Sequence, residues 1–155
     1  MVLDSIQSLV EHVADKPELN QHVLTIAYSF TKNSFQDEIP VQISVLNILT
    51  SICAHSYPIA EWEKYLIIIR KGLASDSLSM NCAAMKTLEQ FAHSSTNDTS
   101  QRDALSLAWW KEALESSAHL WTVDFPAIRC LSCNLISHLS RPVILGLEVR
   151  FFQFC

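Results

Sequence analysis

The chain has 155 residues, 49% of them apolar, enough to bury the core of one domain with little left for a second. Two glycines and five prolines leave almost nothing from which to build Gly-rich phosphate loops or turn-dense β architectures, so the class reads as all-α. Eleven Lys and Arg against sixteen Asp and Glu give a net charge of −5, which removes the electrostatic footprint of a nucleic-acid or anionic-membrane binder.

Apolar residues recur at helical spacing in seven segments separated by short stretches holding Pro, Asp, Ser or Asn. The first, 2–14, carries an acid at position 4 and alternates apolar with polar residues, unlike a secretory signal with its basic head and unbroken apolar stretch. The second, 17–32, opens on Pro17, and the third, 39–55, contains no Lys, Arg, Asp or Glu. The fourth, 59–73, carries Glu61, Glu63, Lys64, Arg70 and Lys71 around the apolar run YLIII, far short of the roughly 20 residues that span a bilayer. The fifth, 77–94, has only Lys86 and Glu89 as charges and runs into the polar insertion SSTNDTSQR at 94–102. That insertion is expected to be a solvated loop, with Ser94, Ser95, Thr96, Thr99 and Ser100 as acceptors if it is phosphorylated. The sixth, 103–121, contains Trp109-Trp110, and the seventh, 125–140, has only Arg129 as a charge. A dense apolar tail, 141–155, follows. Five cysteines spread through apolar segments suit reduced, buried thiols in a chain that stays inside the cell, in the cytoplasm, with the nucleus left open.

The segments repeat. Positions 0, 4, 7, 8 and 11 counted from Val2, Val41, Met80 and Ile128 are apolar in eighteen of twenty cases, and the anchors are spaced 39, 39 and 48 residues apart. Counting back from the last three anchors gives Val23, Ile26, Ala27, Phe30; then Trp62, Tyr65, Leu66, Ile69; then Trp110, Ala113, Leu114, Ser117, all but the last apolar. Each unit is therefore an outer helix followed by an inner one, and the nine additional residues of the last spacing fall in the 94–102 insertion. The units are a half repeat at 2–14 and repeats at 17–55, 59–94 and 103–140, about three and a half in all. This spacing predicts an α-solenoid of antiparallel helix pairs.

The stretches LASDSLSMNCAAMKTLEQFA and HLWTVDFPAIRCLSCNLISHLS resemble HEAT and armadillo repeats, the second with Asp124, Pro126, Ile128 and Arg129 in the order of the HEAT pattern. The resemblance implies a turn Asp and a second-helix Arg that bond between neighbouring repeats. Asp37, Asp76 and Asp124 recur in register, each five residues before Gln42, Asn81 and Arg129, so only the last pair can be ionic. It also implies that the second helix of each pair lines a concave face that receives a partner. Here that face would carry Gln42, Ser44, Asn47, Ser51, Asn81, Lys86, Glu89, Asn134 and Ser137, a surface for hydrogen bonds to a protein or peptide rather than to phosphates. Trp109 is a candidate aromatic anchor beside a core-facing Trp110.

Catalytic and metal chemistry finds no motif. Cys130 and Cys133 form a C-x-x-C with no strand upstream, and a zinc site would need two further ligands, with His138 or His119 brought in by folding, so the pair reads as core packing rather than a redox or zinc site. His12, His55, His93 and His138 fall near the ends of inner helices, where the helix dipole favours a cation. No glycine-bracketed nucleophile, H-E-x-x-H or paired-acid constellation occurs. The expected function is thus a non-catalytic protein-interaction scaffold without cofactor or metal, a fragment or short isoform of a larger repeat protein whose further repeats it would contact. A segment of a transport receptor or trafficking adaptor, and a helical accessory subunit of an enzyme complex, are the alternatives.

Overall fold

The structure, a computed structural model, describes residues 2–13, 16–32, 38–55, 62–97 and 107–138. Among them are seven helices and no strand: α1 (Val2–Val13), α2 (Pro17–Lys32), α3 (Ile39–His55), α4 (Trp62–Leu73), α5 (Leu78–Asn97), α6 (Leu107–Ser117) and α7 (Pro126–His138), with a 3₁₀ turn (Ala118–Thr122) continuing α6. Pro17 and Pro126 open α2 and α7, and Pro40 is the second residue of α3, positions where no intrahelical N–H is needed. The first helical bonds run from Asn20 N to Lys16 O (3.1 Å), Gln42 N to Glu38 O (3.1 Å), Asn81 N to Ser77 O (2.9 Å) and Arg129 N to Phe125 O (3.1 Å), which sets where each helix begins.

The odd-numbered helices pack in file, α1 on α3, α3 on α5 and α5 on α7. The even-numbered ones flank them: α2 packs on α1 and α3, α4 on α3 and α5, and α6 on α4, while its 3₁₀ continuation reaches α7. α3 has neighbours on several sides, which is why it is apolar nearly all round and buries Val45, Leu46, Ile48, Leu49, Ile52 and Cys53. Among the described residues, Tyr65 of α4 and Phe91 of α5 are the largest fully buried side chains. Burying a side chain of this size contributes about 1.5–3 kcal/mol. Tyr28 of α2 meets Tyr65 edge to face at 5.5 Å between ring centroids. α4 approaches α5 closely at Gly72, where a Cβ would stand 2.7 Å from that of Ala84.

Polar bonds fix the register between inner helices. Thr50 and Thr87 share a buried hydroxyl contact of 2.9 Å between residues 37 apart, and Ser94 Oγ donates to Cys53 O at 2.8 Å across 41. These offsets bracket the 39-residue anchor spacing between the second and third units. His138 meets His93 (ring centroids 4.7 Å) and Glu89 (Nε2 to Oε1 3.4 Å), offsets of 45 and 49 around the last spacing of 48.

Two boundaries differ from the periodicity. α5 runs on to Asn97, three residues past its expected end at 94, because Ser94 is drawn into the seam, donating to Cys53 O while Gln90 Nε2 donates to its hydroxyl at 3.2 Å. The sixth helix stops being α-helical at Ser117, whose hydroxyl turns back to Leu114 O (2.9 Å) and accepts from Trp121 Nε1 (3.2 Å). The remainder of the expected 94–102 loop and the 141–155 tail lie outside the described residues. No helix among the described residues is long and apolar enough to cross a membrane.

Candidate functional site

The inner helices α3, α5 and α7 carry the residues expected to face a partner, and they divide by burial. Gln42 and Asn81 are inside, 4% and 3% exposed, so neither belongs to an open surface. Asn81 Nδ2 donates to Gly72 O (2.9 Å), Leu73 O (3.2 Å) and Ser75 O (2.8 Å), closing the carbonyl end of α4. This corrects the expectation for both: Asn81 is held by the α4–α5 turn, and Gln42 is buried at the start of α3. Ser44, Asn47 and Ser51 on α3 are half-buried. Lys86 on α5 and Asn134 and Ser137 on α7 are exposed, with Ser137 Oγ donating to Asn134 O at 2.7 Å. Glu89 is half-buried and engaged with His138.

The expected Asp ladder is also corrected. Arg129 and Asp124 do form an ion pair at 3.2 Å, but both belong to the same unit and are exposed, so the contact braces the start of α7 rather than joining neighbours. Such a pair is worth at most about 1 kcal/mol. Asp76 is exposed in the α4–α5 turn. Asp37 lies outside the described residues, as does the side chain of Trp109 on α6.

No protein-family model, curated protein or solved structure matches this chain.

The thiols depart most from expectation. Cys53 is buried and Cys82 half-buried, but Cys130 and Cys133 are exposed rather than in the core, because the buried face of α7 is already occupied by Ile128, Ser132 and Leu135. Burial pushes the Cys53 thiol well above its ordinary 9.0 and raises Cys82 as well.

The histidines serve helix ends in part. His12 and His55 donate Nδ1–H to Ser8 O and Ser51 O, both at 2.8 Å, since a carbonyl can only accept. His93 and His138 instead join Glu89 in a three-residue cluster across the α5–α7 seam, which the single-helix dipole argument misses. The available signal was Glu89 and His93 four apart on one helix, with His138 at the matching end of the next.

Two depressions lie away from the Glu89–His93–His138 cluster. One of about 370 Å³ is lined by Ile39, Gln42, Lys71, Ala74, Ser75, Asp76 and Met80; another of about 430 Å³ is lined by Ile67, Arg70, Lys71, Ala74, Ser116 and His119. In the second, Arg70 is held by Glu112 at 2.6 Å across α4 and α6.

Proposed function

We propose that this chain is a non-catalytic protein-interaction scaffold built as a HEAT-like α-solenoid, which binds a protein or peptide along the file of inner helices. The observation that carries this reading is the consecutive packing of α1, α3, α5 and α7, with polar bonds at offsets matching the sequence period. Stacking of successive helix pairs is how a repeat buries an apolar face that it cannot bury alone. The accessible part of the face is Lys86, Asn134 and Ser137, supported by half-buried Ser44, Asn47, Ser51 and Glu89. It holds hydrogen-bonding groups and few charges, so it suits a polypeptide better than a phosphate backbone.

The test is affinity capture from cell extract followed by mass spectrometry. The bait is compared with a Lys86→Glu, Asn134→Glu, Ser137→Glu variant and with an outer-helix control, Ile67→Glu, at a site 64% exposed. Partners retained by the control and lost from the triple variant, with all three proteins equally helical, are the expected result. Equal capture by all three would refute binding at the inner face.

A further inference from the structure

The two thiols of α7 are one turn apart on a helix and both exposed. Residues three apart on an α-helix hold their Cβ atoms about 5–6 Å from each other. A disulfide needs about 3.5–4.5 Å. Closing the pair directly would therefore require a local shift in the backbone of α7, which buries Ile128, Ser132 and Leu135. An ion placed between the sulfurs adds two metal–sulfur bonds to the bridge and spans the gap with the helix intact.

We propose that Cys130 and Cys133 form a two-thiolate site for a soft monovalent cation, copper(I), independently of any partner at the inner face. Thiolate ligands select soft ions. Zinc shares that preference but takes four ligands in a structural site, and among the described residues no three His, Cys, Asp or Glu side chains are placed to share an ion. Copper(I) is satisfied by two sulfurs. On binding, each thiol releases its proton and each sulfur gives a lone pair to the ion; the copper stays at +1, no electron is transferred, and the bis-thiolate carries one net negative charge. Cys53 and Cys82 compete poorly, since burial disfavours their thiolates.

The experiment uses the full, reduced chain without oxygen, titrated against copper(I) held by the chromogenic chelator bicinchoninate. The natural chain and Cys82→Ser each withdraw one equivalent, whereas Cys130→Ser and Cys133→Ser each bind about 100-fold more weakly, as a chelate reduced to one sulfur does. X-ray absorption of the loaded protein shows two sulfur neighbours. Single serine variants that keep the natural affinity, no withdrawal by the natural chain, or three sulfur neighbours would overturn the assignment. Both sites are exposed, and unchanged helical circular dichroism of the serine variants shows that the fold is kept.

Discussion

Asn81, itself buried, places one amide nitrogen against three carbonyls at the end of α4. Asn81→Leu would leave those acceptors without their donor and should cost about 1–3 kcal/mol in urea denaturation. Asn81→Asp should cost more at neutral pH, because a carboxylate would face carbonyls, and should recover part of the loss as acidification turns the carboxyl into a donor. Cys53 gives a second pH signature. Its folded-state thiol is held above 9.0, so the unfolded chain loses that proton first as pH rises. Stability then falls above about pH 9, by up to about 1.4 kcal/mol per pH unit for this thiol. Denaturation curves of the natural chain and Cys53→Ala from pH 8 to 10 should diverge in slope accordingly. The periodicity made the core face of each helix legible at this scale, including Leu49, Leu88 and Leu135. It could not tell that Gln42 and Asn81 would be covered, since that depends on tertiary packing and, for Asn81, on how the α4–α5 turn closes. It also placed Cys130 and Cys133 in the core, where only one side of α7 is buried.

At the scale of elements, α3 and α5 are joined by packing and by the Thr50–Thr87 contact, in which one hydroxyl donates to the other and the accepting hydroxyl gives its own proton to a carbonyl of its helix, Leu46 O for Thr50 or Ala83 O for Thr87. Thr87→Val keeps the shape and removes the shared bond, for an expected loss of about 0.5–1.5 kcal/mol. Adding Thr50→Val should cost less than the sum of the two single changes, because both act on one interaction. Gly72 sets how near α4 comes to α5. Gly72→Ala gains up to about 1 kcal/mol in helix propensity but meets the fixed Cβ of Ala84. Overpacking costs about 1–3 kcal/mol, so thermal unfolding should show net destabilisation. Helix positions were legible because apolar residues at 3.6-residue spacing are what burial selects. The extension of α5 and the 3₁₀ end of α6 were not, since each turns on a single serine, Ser94 or Ser117, bonding in a way composition does not reveal.

For the whole molecule, the spacings of 39 and 48 residues foreshadow the offsets at which α3 meets α5 and α5 meets α7, so the order of packing was legible in the sequence. Surface chemistry was less so: the row of polar residues read as one face is split between buried caps and a smaller accessible set. Binding along the inner helices requires above all that they stand in file. Spin labels carried by unnatural side chains at exposed His12, His55, His93 and Ser137 measure this directly, because these sites lie on α1, α3, α5 and α7 in turn. With helix axes about 8–10 Å apart per layer, distances from His12 should grow step by step, to about 25–30 Å at Ser137. A His12–Ser137 distance no longer than His12–His55 would contradict the file of helices and the scaffold reading built on it.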